Sequence, residues 1–123
     1  MKSALVLFSH GARDPEWSVP FRNIQRRIAA RCPELAVELA FLELAPPTLA
    51  DAVEKLAAAG HARITVAPLF MAPGGHLKRD LPRLLDELRG RHPGVVLELL
   101  PAIGDVEAVL DAISDWLVEM SRR

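Results

Sequence analysis

Four short apolar runs alternate with longer segments of helical periodicity along these 123 residues, and this alternation constrains the fold more than any other feature. It is typical of a parallel sheet whose strands are joined by crossover helices. With right-handed crossovers and the common strand order 2-1-3-4, the first and third strands are neighbours. We therefore predict an α/β fold, a four-stranded parallel sheet of order 2-1-3-4 with helices on both faces. The predicted strands are residues 4–8, 37–42, 64–70 and 95–100.

Three predicted helices occupy residues 18–31, 48–60 and 105–120, and another follows Asp80 and Pro82 and ends near Gly90. Thr48 is a typical N-cap, and Gly60 is typical of the position after a helix C-terminus. The last helix carries an apolar stripe that is wide enough to bury more than one face. This stripe consists of Val106, Val109, Leu110, Ile113, Trp116, Leu117 and Met120.

Composition fits one globular domain over residues 1–123 and limits its partners, since 50% of the residues are hydrophobic and 25% are charged. The formal net charge of -1 argues against a nucleic-acid coat or a polybasic membrane surface. No apolar run approaches the roughly 20 residues of a membrane span, and we expect a cytoplasmic protein. The single Cys32 excludes an internal disulfide and a thiolate-clustered metal site built by one chain.

The four histidines divide between the two edges of the predicted sheet. His10 follows the first strand and His76 follows the third, at the edge where open α/β sheets bind ligands. Neighbouring strands lie about 4.8 Å apart, so imidazoles at their ends can converge on one cation. His61, His92 and Cys32 fall at the opposite edge, where solvation or helix capping is the expected role.

Charged residues flank this predicted crevice. Glu43 follows the second strand and is either a third metal ligand or an exposed strand-end carboxylate. His10 and His76 each begin the pattern His-x-x-Arg-Asp, which places Arg13 and Arg79 three residues further on. These arginines either reach an anionic ligand or pair with the adjacent aspartates and staple the loop.

The segment before His76 suits close contact with a ligand. Gly74 and Gly75 let the backbone approach a ligand closely, and Pro73 restricts the loop. Neither the spacing of a P-loop nor a G-x-G-x-x-G pattern is present, so nothing supports nucleotide binding. Apolar residues around the loop form a wall that suits a flat hydrophobic ligand, although Phe70 equally suits the core: Phe70, Met71, Ala72 and Leu77.

Three segments resemble the small class II chelatases, short CbiX-type proteins that insert a divalent metal into sirohydrochlorin. They read LFSHGARDP at residues 7–15, AFLELAPPT at residues 40–48, and APLF leading to GHLKRDLP within residues 67–82. The resemblance implies a chelatase-like half domain acting in tetrapyrrole (cobalamin or sirohaem) biosynthesis, with the metal as substrate and no organic cofactor. It implies that His10 and His76 hold the metal, that His10 accepts a proton, and that residues 71–75 line the macrocycle.

The residue types agree with this chemistry. Metal insertion strips water from the ion and removes two pyrrole protons, and a neutral imidazole can serve as both ligand and base. Sirohydrochlorin is rich in carboxylates, for which Arg13, Lys78 and Arg79 are the predicted partners. Glu43 remains a ligand, a substrate contact or a bystander. Co²⁺ is the expected metal on the resemblance alone, because Fe²⁺ and Ni²⁺ suit the same ligands.

Other functions and one structural expectation stay open at this point. The same two histidines would serve a non-catalytic metal or tetrapyrrole carrier. A histidine phosphatase also uses a histidine after a strand, but Ser9 stands where that class needs Arg. The chain also departs from the chelatase pattern at Ser9, Ala12 and Pro46. Longer members of the family contain two such halves, so a single half predicts a homodimer, with the apolar stripe as one possible interface.

Overall fold

Strands and α-helices alternate throughout the computed structural model, which describes residues 2–123. The strands are β1 (Ser3–Ser9), β2 (Ala36–Phe41), β3 (Arg63–Pro68) and β4 (Val96–Leu99). The α-helices are α1 (Val19–Arg31), α2 (Leu49–Ala58), α3 (Gly75–Arg91) and α4 (Glu107–Ser121), with 3-10 helices at Pro15–Ser18 and Ile103–Asp105. All strands are parallel in the order β2-β1-β3-β4, which confirms the predicted fold. None of the described helices combines the length and hydropathy needed to cross a bilayer.

Side-chain capping marks the start of α2, and a glycine precedes the start of α3. At α2, the Asp51 amide donates to the Thr48 hydroxyl at 3.1 Å and the Thr48 amide donates back to the Asp51 carboxylate at 3.4 Å, a capping box. At α3 the predicted start after Pro82 is wrong. The extended backbone of Gly74 (φ -66°, ψ 164°) provides the N-cap geometry, so the helix begins at Gly75 and carries Pro82 in its interior.

The two faces of the sheet are covered unequally. Helices α2 and α3 pack on one face, over a core that includes the fully buried Phe8, Ile64 and Leu85. Helix α1 packs on the other face, here called the α1 face, where Phe21 and Ile28 contact residues of β1 and β2. The prediction of helices on both faces is therefore confirmed.

The α1 face remains uncovered over β3 and β4. Strand alternation puts one set of side chains on this part of the sheet, here called the open sheet face: Arg63 and Thr65 of β3 together with Val96, Glu98 and Leu100 at β4. Val96 and Leu100 are exposed. Parallel sheets are ordinarily covered on both faces, so this open half is an unsatisfied surface of the single chain.

Helix α4 forms where the sequence predicts but does not pack on the sheet. Among the described elements, the 3-10 helix Ile103–Asp105 is the one with which α4 makes substantial contact, and no residue of α4 is buried. The expectation that α4 buries more than one face is wrong for a single chain. Trp116 and Leu117 of the apolar stripe are instead 59% and 53% exposed.

Candidate functional site

The end of β1 places His10 beside the segment that follows β3. The two strands pair in parallel up to Phe8↔Pro68, and the Leu69 amide then donates to the Phe8 carbonyl at 2.8 Å. The ring of Phe70 meets the ring of His10 edge to face, with centroids 4.5 Å apart at 84°. Phe70 is only 2% exposed, so it is a core residue that also supports one side of the exposed His10.

The segment after β2 packs against the end of β1 at His10. The Glu43 amide donates to the His10 carbonyl at 3.0 Å, which holds the backbone of Glu43 next to that histidine. Gly11 adopts a φ of +88°, and a Cβ there would lie 2.0 Å from the Glu43 carbonyl oxygen. Leu44 has a φ of +67°, a conformation that costs a leucine energy and that concentrates at functional sites. The Glu43 side chain is exposed, at the flank of β1 that the sequence predicts.

His76 is the second residue of α3 and is exposed, like His10. The residues after it, Leu77 and Lys78, line a cavity of about 190 Å³ together with Phe70 and Pro73. Phe70 thus contacts the His10 ring and also lines the cavity beside the start of α3. The two histidine-bearing segments therefore share one edge of the sheet, with a mostly apolar depression next to them.

The predicted cationic residues lie around this edge and are all exposed. Arg13 lines a second cavity, of about 300 Å³, whose lining also includes Trp17 and Arg22. Within residues 2–123, neither Arg13 nor Arg79 forms an ion pair with a carboxylate. The alternative in which each arginine pairs with the adjacent aspartate is therefore wrong. Asp14 instead accepts a hydrogen bond from the Glu16 amide at 2.9 Å and caps the 3-10 helix Pro15–Ser18.

Arg22 is a candidate that sequence reasoning missed. Its guanidinium donates to the Ser18 hydroxyl at 3.1 Å, which directs it along the same cavity as Arg13. A sequence signal existed, because Arg22 lies four residues after a serine at the start of a helix, and residues at that spacing face each other.

The other two histidines and the cysteine occupy helix ends at the opposite edge. His61 Nδ1 lies 3.0 Å from the Leu56 carbonyl, and His92 follows the last residue of α3. The Cys32 thiol donates to the Glu34 carboxylate at 3.0 Å. This hydrogen bond raises the pKa of Cys32 and lowers the pKa of Glu34, so the thiol form is favoured.

Within the described residues, no three His, Cys, Asp or Glu side chains lie close enough together to hold a metal ion. The trio of His10, His76 and Glu43 therefore stays a prediction. The structure does bring the backbones of His10 and Glu43 into direct contact, and it puts His76 in the first turn of α3, after the neighbouring strand β3.

Known proteins match the chain over almost its whole length. The family model CbiX matches residues 4–120. The protein named sirohydrochlorin cobaltochelatase from Sulfurisphaera tokodaii is 31% identical over 121 residues, which cover 96% of this chain and 93% of that protein. The protein of the same name from Methanococcus maripaludis is 35% identical over 91 residues, or 74% of this chain. The aligned part spans only 63% of that longer relative.

Two solved structures share the fold. The CbiX protein of Marinobacter aquaeolei VT8 superposes with a TM-score of 0.83 at 30% identity, covering 98% of both chains. The sirohydrochlorin chelatase SirB of Bacillus subtilis subspecies spizizenii, solved in complex with cobalt, gives a TM-score of 0.78 at 26% identity. That match covers 97% of this chain but 51% of the SirB chain. The sequence match, the strand order and the structural matches agree, and the chain belongs to the CbiX family.

Proposed function

We propose that this protein inserts a divalent metal ion into sirohydrochlorin. The observation that carries the proposal is the placement of His10, which is exposed at the carboxyl edge of β1 with its ring against Phe70. His76 lies in the first turn of α3, which follows the neighbouring strand β3. The names of the relatives and the cobalt complex of SirB support the same reaction and favour Co²⁺ as the metal.

In this proposal the imidazoles of His10 and His76 bind the incoming ion and replace part of its water shell. Imidazole suits Co²⁺, Fe²⁺ and Ni²⁺, so the ligand set alone does not fix the metal. A backbone hydrogen bond fixes Glu43 next to His10, and we propose the Glu43 carboxylate as a third ligand or a substrate contact.

Two pyrrole protons must leave when the metal enters the ring, and His10 is the proposed acceptor. A neutral imidazole accepts a proton near neutral pH, which makes histidine a suitable general base. Once the ion has passed to the ring nitrogens, His10 is no longer a ligand and its nitrogen lone pair is free to accept a proton. Because His10 is exposed, it can release each proton to water before it accepts the next. The edge-to-face contact with Phe70 restricts the ring during both steps.

The substrate is proposed to lie over the loop of residues 71–75. Met71 is 54% exposed and Pro73 lines the neighbouring apolar cavity, so this loop offers the macrocycle an apolar surface. Lys78 lines the same cavity as Pro73, and Arg13 and Arg79 are exposed on segments that follow β1 and β3. We propose that these three residues bind the carboxylates of the substrate.

Replacing Arg79 by alanine is expected to raise KM for sirohydrochlorin by about tenfold with little change in kcat, because a charged hydrogen bond contributes about 1.5–3 kcal/mol. Arg83→Ala is the matched control, since Arg83 is also exposed on α3 and has no assigned role. Steady-state kinetics over a range of sirohydrochlorin concentrations measures both constants. An unchanged KM for Arg79→Ala, or an equal rise for Arg83→Ala, would contradict the assignment.

The reaction itself is tested by following the absorbance of sirohydrochlorin under anaerobic conditions with Co²⁺, Fe²⁺ or Ni²⁺ and a substoichiometric amount of protein. We expect many turnovers per protein molecule, fastest with Co²⁺. A spectral change that stops at one equivalent would identify a carrier instead. Hydrolysis of a phosphomonoester without added metal would indicate a histidine phosphatase.

We also propose that the protein is a homodimer in which the partner closes the crevice. The chain corresponds to 51% of SirB, and a second copy would supply a surface comparable in size to the remaining part of that longer chain.

A further inference from the structure

We propose that the cavity between the start of α1 and the segment after β2 binds a peripheral carboxylate of the tetrapyrrole, and that the guanidinium of Arg22 holds this carboxylate. The cavity is here called the arginine cavity, and its lining includes Arg13, Trp17, Arg22 and Leu44. This assignment rests on the proposed function, since it names the group that recognises one edge of the same substrate.

Two hydrogen bonds fix Arg22 at the cavity. The Ser18 hydroxyl donates to the Pro15 carbonyl at 2.9 Å and accepts a hydrogen bond from Nε of Arg22 at 3.1 Å. Ser18 is only 8% exposed, so the point of attachment is buried. Among the described residues, the two terminal nitrogens of the Arg22 guanidinium have no hydrogen-bond or ion-pair partner. These two nitrogens can bind a carboxylate through two parallel hydrogen bonds.

The charges that line the arginine cavity favour an anion. Arg13 and Arg22 both line it, and neither forms an ion pair with a carboxylate within residues 2–123. Asp14 is the acidic residue among the described residues of the lining, and one of its oxygens accepts a hydrogen bond from the Glu16 amide at 2.9 Å. Residues 44–46 of the lining read Leu-Ala-Pro and carry no side-chain charge. Two arginines against one aspartate leave a positive lining, which one bound carboxylate neutralises.

Aromatic side chains give the cavity an apolar wall. The half-buried Trp17 packs against Phe21, with ring centroids 4.9 Å apart, and against the buried Phe41 at 6.4 Å. Trp17 and Phe41 also line the cavity. Hydrogen bonds to a charged group are stronger beside a surface of low polarity than in open water. The aromatic wall therefore strengthens the contact between Arg22 and a carboxylate.

Both sides of the cavity are connected to His10. Ala12 lines one side, and Cα atoms two residues apart lie within about 7.6 Å of each other. On the other side Leu44 follows Glu43, whose amide donates to the His10 carbonyl at 3.0 Å. A ligand centred at His10 can therefore extend a substituent into the cavity.

The size of the cavity fits a substituent of the macrocycle. Its volume of about 300 Å³ lies at the lower end of the range for pockets that bury a whole drug-sized ligand, about 300–1,000 Å³. A tetrapyrrole ring is larger than such ligands, whereas a short side chain that ends in a carboxylate is much smaller. The ring would thus stay at the edge of the sheet while one acidic side chain enters the cavity.

Arg22→Gln tests the role of Arg22, with Arg26→Gln as the matched control. Glutamine removes the positive charge but can still donate to the Ser18 hydroxyl. Arg26 is exposed one turn further along α1 and does not line the arginine cavity. With Co²⁺ and sirohydrochlorin, Arg22→Gln should raise KM for sirohydrochlorin by about tenfold, with kcat much less affected. Arg22→Lys keeps the charge without the planar fork and should raise KM less, and Arg26→Gln should match the wild type.

Binding at the cavity is measured directly without metal or turnover. In a Trp116→Phe background, Trp17 is the remaining tryptophan and reports on the cavity that it lines. Titration with propionate at constant ionic strength should change the emission of Trp17, and the uncharged propionamide should not. Arg22→Gln in the same background should lose most of the propionate response, and Arg26→Gln should keep it. Circular dichroism checks that each variant is folded.

Metal-free binding of sirohydrochlorin separates this assignment from the proposed reaction. Followed by absorbance, the dissociation constant should rise about tenfold in Arg22→Gln, whether or not the wild type turns over. A wild type that binds sirohydrochlorin without turnover would count against the proposed reaction alone. An unchanged KM and an unchanged metal-free affinity in Arg22→Gln, or an equal loss in Arg26→Gln, would overturn the role of Arg22. A Trp17 response to inorganic phosphate but not to propionate would identify free phosphate as the ligand and would also overturn it.

Discussion

His10→Ala and His76→Ala are each expected to lower kcat for metal insertion at least about a hundredfold, since a positioned general base and ligand typically contributes about 10²–10⁴ in rate. His61→Ala and His92→Ala serve as matched controls and should stay within about twofold of the wild type. These two histidines lie at helix ends on the opposite edge of the sheet, where His61 Nδ1 is 3.0 Å from a backbone carbonyl.

The mechanism behind this expectation predicts more than a loss of rate. If both histidines bind the same ion, the double variant should lose little more kcat than either single variant, because the first substitution already removes the metal site. Co²⁺ binding measured by calorimetry without sirohydrochlorin should weaken in both single variants. Protons compete with the metal for imidazole, so binding should also weaken as the pH falls. Comparable losses in all four histidine variants would contradict the assignment of the site to the carboxyl edge.

The fold was largely predictable because its determinants are local and periodic. The strand order follows from the right-handed crossovers of parallel sheets. The capping box of Thr48 and Asp51 marks the start of α2 in the sequence. The start of α3 was not predictable in the same way. Proline disfavours a helix interior, so the sequence predicts that the helix begins after Pro82. The extended conformation of Gly74 instead starts α3 at Gly75, and Pro82 lies inside it.

The edge that carries the candidate site was predictable from topology, whereas its detailed geometry was not. The contact of Phe70 with His10 and the left-handed Leu44 depend on how three loops fold against one another. Arg22 lies on helix α1, and its hydrogen bond to the Ser18 hydroxyl accompanies its place in the lining of the cavity that Arg13 also lines. The lack of buried residues in α4 was not predicted either. An amphipathic helix pattern shows which side chains are apolar, but it does not show which surface they pack against.

Gly11→Ala is the second substitution with a large expected effect, on both stability and activity. Gly11 has a φ of +88°, and an added Cβ would lie 2.0 Å from the carbonyl oxygen of Glu43, which is backbone and cannot move alone. The left-handed conformation costs a non-glycine residue about 1–2 kcal/mol. Relieving the clash separates the His10 and Glu43 segments, and we expect a total loss of about 2–4 kcal/mol in the free energy of unfolding.

Gly60→Ala is the control that separates the cost of the left-handed backbone from the cost of the steric clash. Its φ of +89° matches that of Gly11, but no atom lies within 4 Å of an added Cβ among the described residues. Urea unfolding should therefore show a loss of about 1 kcal/mol for Gly60→Ala, with metal insertion unaffected. Gly11→Ala should lose more stability and, at temperatures where it is still folded, at least tenfold in kcat, because a displacement of about 1 Å at a catalytic group is costly. If the two variants unfold at the same urea concentration with equal activity, the segment after β2 does not hold His10 in place, and Glu43 has no fixed position from which to reach the metal.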